Sequence, residues 1–267
     1  MMSHANTKAD PPVGLAETVR YLGVTGFAAL ATGVLVGGLG SRIFMRIAGA
    51  TGRDLAQGLR TEAGFRVGEV TIGGTIVLLV FVGFFVGIVG GVLHVVFRPW
   101  LAWAGRWRGV AFGVVLFAIG SASSDVMNPD NRDFSLLDQD LVNVALIVML
   151  FVGFGIVLET LYRRLDSRLP AGDGVTPIYA GISVLGAMLG VPLLIVVLFT
   201  ESGCDCAPSP WIAWLTVVAA LGTVAWWLGG RDRRWSMPGR ILGFAGLAGA
   251  TAFGMIRAVS DAAEIIG

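Results

Sequence analysis

Charge is scarce in this chain, and lysine is almost missing. Only 14% of the 267 residues are charged, and Lys8 is the one lysine, so nearly every cation is an arginine. A lone lysine outside every apolar segment excludes the intramembrane Schiff-base chemistry of a retinal-binding protein. Two cysteines, Cys204 and Cys206, are too few for a disulfide framework. Of the two histidines, only His94 lies within an apolar segment. There is no HExxH pair, no glycine-rich phosphate loop, no set of paired intramembrane aspartates and no basic patch with interleaved aromatics. A net charge of +1 gives no reason to expect nucleic acid. The chain is therefore expected not to be an enzyme and to carry no cofactor, catalytic residue or resident metal.

Apolar residues are abundant. They make up 55% of the chain, with a mean hydropathy of +0.78, and they fall into seven runs at 21–39, 70–96, 109–127, 141–161, 177–200, 211–229 and 241–259. Each run approaches or exceeds the roughly 20 residues an α-helix needs to cross a hydrocarbon core of about 30 Å. Barrel strands would be about ten residues long and alternate in polarity, so helices are the expected spanning element. The expected fold is all-α, a polytopic bundle of about seven transmembrane helices. Residues 1–20 are read as a disordered or cytoplasmic N-terminal segment and residues 21–267 as a single transmembrane domain. The first run exceeds the length of a signal-peptide core and is read as a retained anchor.

Arginine placement sets the expected orientation. Arg98, Arg106 and Arg108 follow the second run, Arg163, Arg164 and Arg168 the fourth, and Arg231, Arg233, Arg234 and Arg240 the sixth, whereas the opposite face past the second run holds Arg132 and Arg257. Cytoplasmic loops carry the excess of arginine, so the N-terminus is placed in the cytoplasm and the protein in a plasma membrane, the inner membrane of a bacterium. The connection after the first run disagrees, with Arg42, Arg46, Arg53, Arg60 and Arg66 on the outer side. An aspartate-rich connection holding Asp125, Asp130, Asp133, Asp138 and Asp140 shares that side and is expected to pair with it. Trp211 and Trp214 open the sixth run and Trp226 and Trp227 close it, while Trp100, Trp103 and Trp107 suggest an interfacial belt inside.

Helices in lipid associate by close approach, which small residues at every fourth position allow. Gly83, Gly87 and Gly91 form such a ridge in the second run, Gly33 and Gly37 in the first, and Gly243, Gly246 and Gly249 a looser one in the seventh. Intramolecular packing is the favoured use, with a homo-oligomer or a membrane partner subunit as the other; the lipid bilayer is the remaining partner. Gly190 and Pro192 in the fifth run predict a kink.

Depth selects the candidate site, because a charge at membrane depth is costly unless paired or hydrated. Asp125 and Arg257 each lie about 24 Å along their helices from the inner arginines, so they share a level near the outer boundary and are expected to pair. Asp261 follows Arg257 by four residues, on the same face. Arg42, Arg46 and Arg53 form a basic stripe, with Ile43 and Ile47 turned away from it. Arg42, Arg46, Ser121, Ser123, Ser124, Asp125, Arg257 and Asp261 therefore suggest an outward-opening polar vestibule, against the simpler reading of a salt-bridge cap. His94 and Glu159 are placed at headgroup level, where snorkelling accounts for them, with Arg163 four residues after Glu159 as a helical ion pair. His94 lies at the opposite face from Ser121, which excludes a serine-protease pairing. The SSDVMNPDNRDFSLLDQD stretch lacks EF-hand spacing, and Cys204 and Cys206 are either a strained disulfide or a free pair.

The segments GGLGSRIFMR, TEAGFRVGEVTIGGT, FRPW and NPDNRDFSLLDQD resemble ones found across a group of uncharacterised bacterial multi-span membrane proteins. The resemblance covers the first through fourth runs and implies neither substrate nor site. The expected function is permeation or transport of an ion or small polar solute through an outward-facing polar cavity, with the fifth helix as its moving part; the alternative is a non-catalytic scaffold, partner subunit or lipid-interacting protein.

Overall fold

The computed structural model describes residues 14–51, 73, 76, 78–128, 140–170, 175–199, 210–229 and 233–266. Among them every regular element is a helix. Helix α1, Leu15–Thr32, continues through a π-helical stretch, Gly33–Gly40, into α2, Ser41–Thr51. Helix α3, Gly83–Phe97, passes through a 3-10 segment, Arg98–Trp107, into α4, Arg108–Ser123. Then come α5, Asp140–Arg168, α6, Thr176–Phe199, α7, Pro210–Gly229, and α8, Arg233–Ile266. Among the described residues six helical stretches are long and apolar enough to cross a membrane: Leu15–Ile47, Gly83–Ser123, Asp140–Arg168, Thr176–Phe199, Pro210–Leu228 and Met237–Ile266.

The second of these stretches folds back on itself. Along α3, Gly90 meets Phe154 and His94 meets Glu159, so the contacts on α5 run forward; along α4, Gly109 meets Ile156 and Gly113 meets Val152, so they run backward. The reversal falls at Gly105, whose φ of 51° and ψ of −114° suit glycine alone. No neighbour lies where its Cβ would be, so backbone conformation rather than crowding is what requires glycine there.

Glycine sets the helix crossings. A methyl group on Gly87 would stand 2.8 Å from Ala29 O, and one on Gly91 2.8 Å from Ala29 Cβ, while Gly83 faces Gly33 and Val34. The ridges of the first and second runs thus fill each other, which is close packing driven by small residues. In the same way Gly246 lies against Ala219, and a methyl group on Gly113 would stand 2.5 Å from Val152 Cα. Val24, Phe97, Leu101, Phe112, Leu158 and Ile212 form a continuous apolar core between the two ends of the bundle. Helix α6 runs unbroken through Pro192, and Gly190 presses against Ile88 and Val92. Most of its side chains, including Ile178, Met188 and Ile195, are exposed and apolar.

Several expectations change at the ends. Helix α1 begins at Leu15, six residues before the apolar run, because Arg20 finds a partner in Asp166 and is held in the helix. Trp100 is not an interfacial residue: it is buried, and its Nε1–H donates to Thr223 Oγ1 at 2.9 Å, whereas Trp103 and Trp107 are exposed. The N-terminal residues to 13, Arg53, Arg60, Arg66, Asp130, Asp133, Asp138, Cys204 and Cys206, and the side chain of Asp125, lie outside the described residues.

Candidate functional site

The expected vestibule residues gather at the end of the bundle opposite Gly105. Phe44 of α2 packs there against Phe117, Met127, Ile147 and Ala258, so α2, α4, α5 and α8 do converge. The cluster in which they pack is apolar. Ser121 is buried and donates to Phe117 O at 2.6 Å, and Ser124 donates to Gly120 O at 2.6 Å, so both hydroxyls are satisfied by their own helix. Arg257 Nε lies 3.9 Å from Asp261 Oδ2, a loose helical ion pair. Arg46 and Ile43 are exposed and Arg42 is half-buried. The Asp125 to Arg257 pairing involves a side chain outside the described residues. Two buried groups stand out: Ser123 Oγ and both polar atoms of the Asn143 amide have no hydrogen-bond partner among the described residues, and the antiparallel register of α4 and α5 puts them at similar depth.

The denser constellation lies at the Gly105 end, around Glu159. The apolar stretch of α5 ends in ETLYRRLDSR, and helical spacing puts Glu159, Tyr162, Arg163 and Asp166 on one face. His94 and Arg98 come from the last turn of α3 and its continuation, again four residues apart. Arg108 opens α4 and is brought in because Gly109, Gly113 and Gly155 let the α4 and α5 backbones cross at close range. Glu159 Oε2 accepts from His94 Nε2 at 3.1 Å and from Arg98 Nε at 3.2 Å; Oε1 accepts from Arg163 Nε at 2.7 Å, with Arg108 Nη1 at 3.6 Å.

Snorkelling therefore does not describe His94 and Glu159, whose side chains are 1% and 5% exposed. A carboxylate at such burial is sustained by paired, hydrogen-bonded cations. Around it sits an aromatic wall. The Arg98 guanidinium lies 4.1 Å from the Tyr162 ring centroid, the His94 ring stands edge-on to Phe112 at 5.0 Å, and Tyr21 stands edge-on to Tyr162 at 5.8 Å. Arg163 Nη2 also donates to Gly105 O at 2.9 Å, so the carboxylate fixes the reversing turn through one guanidinium. Arg20, from α1, bonds Asp166 and Leu169 O one turn farther along.

The i to i+4 order of Glu159 and Arg163 was readable in the sequence. The rest was not, since His94 and Arg98 reach Glu159 across 65 and 61 residues. One signal was available: Glu159, His94 and the six arginines that follow the second and fourth runs all fall at the same predicted level. Among the described residues no group of His, Cys, Asp and Glu could hold a metal ion. Each ligand of Glu159 is a cation or a histidine, so the arrangement suits tying helices together or holding an anion rather than proton abstraction. No protein family model, curated protein or solved structure matches this chain.

Proposed function

We propose that the protein is a seven-pass plasma-membrane protein without catalytic activity, a helical scaffold that binds lipid or a partner subunit. The observation that carries this reading is Glu159, which joins α3, the Gly105 turn, α4 and α5 at one end above a continuous apolar core. A conduit needs polar groups or water along its length, and Val24, Phe97, Phe112, Leu158 and Ile212 fill much of the interior, with buried hydroxyls such as Thr25, Thr32 and Thr216 set singly among them.

Seven crossings follow from counting Gly83–Ser123 twice, since its 41 residues are about double what one passage needs and the chain reverses within it. With Arg20, Arg98, Arg106, Arg108, Arg163 and Arg164 at the Glu159 end, that end faces the cytoplasm. The bacterial inner membrane rests on the resemblance alone. The glycine ridges are occupied within the chain, so a partner subunit docks elsewhere, and α6 offers the most exposed apolar surface. Proteoliposomes tested against a panel of ions and small neutral solutes are expected to leak no faster than protein-free vesicles. Sustained, saturable flux overturns the scaffold reading.

Permeation is the second reading, favoured by Asn143, whose buried amide has no partner among the described residues and lies at the depth of Ser123. Burying an amide unpaired costs a few kcal/mol, so a water or polar solute there is physically reasonable. In that reading Ser121, Ser124, Asp125, Arg257, Asp261, Arg42 and Arg46 form the outer mouth. Flux that disappears in Asn143→Leu would support it.

A further inference from the structure

We propose that the Glu159 centre is one wall of a phosphate-binding site at the bundle rim, occupied by the headgroup of an acidic phospholipid. The first observation is charge. Three guanidiniums, from Arg98, Arg108 and Arg163, converge on a single carboxylate, and the nearby Asp166 is taken by Arg20. Cationic charge in excess of its carboxylate, at side chains 12% and 19% exposed for Arg108 and Arg98, is costly in a low-dielectric end unless an anion shares it.

The second observation is an unmet donor. Arg108 approaches Glu159 at 3.6 Å, beyond hydrogen-bond range, and among the described residues its buried Nε has no partner. A guanidinium desolvated this far is held by charge-assisted bonds in almost every setting, and phosphate oxygens match its planar fork.

The third observation is access. Arg163 is 45% exposed, so the centre opens at its edge rather than being sealed. Beside that edge the reversing turn presents Trp103 and Trp107, which are exposed, and Arg106 lies 5.5 Å from the Trp107 ring. Exposed tryptophans next to arginine belong at the headgroup level of a bilayer. Basic recesses between membrane helices on the cytoplasmic side are suited to acidic headgroups, and the apolar rings supply contact for the acyl chains that a free phosphate lacks. The proposal rests on the proposed reading only for the placement of this rim at a bilayer surface, which a permeation protein would share.

The test uses the full chain in nanodiscs of phosphatidylcholine with and without phosphatidylglycerol, and in detergent with inorganic phosphate. Native mass spectrometry reads retained lipid, and tryptophan fluorescence reads the melting temperature. Retention of phosphatidylglycerol and a raised melting temperature are expected, with Arg108→Gln weakening retention about tenfold, the equivalent of one charge-assisted contact. Glu159→Gln, which removes the competing carboxylate, is expected to tighten retention even as it lowers stability, an opposition that a structural role does not produce. Arg164→Gln, an equal charge change on the neighbouring exposed position, should leave retention within about twofold. Equal losses in Arg108→Gln and Arg164→Gln would reduce the effect to general surface charge and overturn the site. Stabilisation by inorganic phosphate with no further gain from phosphatidylglycerol would overturn the lipid as occupant. Flux in proteoliposomes with lipid retention intact would remove the scaffold reading and leave this site standing.

Discussion

His94 Nε2 and Glu159 Oε2 lie 3.1 Å apart although 65 residues separate them, and neither side chain has meaningful contact with solvent. Around this pair stand Arg98, Arg108 and Arg163 on the carboxylate and Phe112 and Tyr162 on the ring.

Glu159→Ala strips the carboxylate from three guanidiniums and is expected to destabilise the protein by about 3–5 kcal/mol, the usual cost of breaking a buried ion pair on one side. Thermal unfolding of purified protein in detergent checks it. A melting temperature equal to that of the parent would show that the cations are solvated in other ways.

At the crossing of α4 and α5, Gly113→Ala is expected to cost about 1–3 kcal/mol, because Val152 Cα is 2.5 Å from where the methyl group would go. Gly153, in the partner helix, has nothing within 4 Å, and Gly153→Ala should be neutral or stabilising by up to about 1 kcal/mol. Paired melting curves of the two variants compare them directly.

Gly105→Ala is expected to cost about 1–3 kcal/mol, since the backbone there has positive φ and no neighbour to blame. Arg163 loses its carbonyl partner if the turn relaxes, so faster proteolysis between α3 and α4 should accompany the loss.

Thr223→Val keeps the volume but leaves the buried Trp100 indole N–H without its 2.9 Å acceptor. A loss of about 1–3 kcal/mol is expected, together with a change in tryptophan emission. An unchanged spectrum and melting temperature would place a water at Trp100.

Arg257→Ala separates the two functional readings at the other end. Arg257 meets Asp261 at 3.9 Å and is 36% exposed, so its removal is expected to shift stability by less than about 1 kcal/mol and to change no flux. A large effect on solute movement would restore the vestibule.

The helical architecture was legible because the constraint that produces it is local. An apolar stretch of this length has to satisfy its own backbone, and Leu141 to Leu158 reads as a helix from composition alone. The glycine ridges were legible for the same reason: Gly83, Gly87 and Gly91 fall on one face by helical spacing, and they meet α1. Depth, by contrast, was a weak guide to partners. Asp125, Arg257, Ser121 and His94 were sorted by height along their helices, and height does not say which way a side chain points around the axis. Ser121 turned to its own backbone, Arg257 to its own helix, and His94 inward to Glu159.

The sequence by itself determined that this is an all-helical chain with stretches long enough for a bilayer, and that arginine concentrates at one end of them, because length, hydropathy and charge act residue by residue. Only the tertiary structure decided that Glu159 is buried beneath His94 and three arginines and that Phe44, Phe117 and Met127 close the opposite end. Those outcomes depend on the rotation of each helix about its axis and on the close crossings at Gly87, Gly109 and Gly113, which contacts between residues far apart in the chain set together.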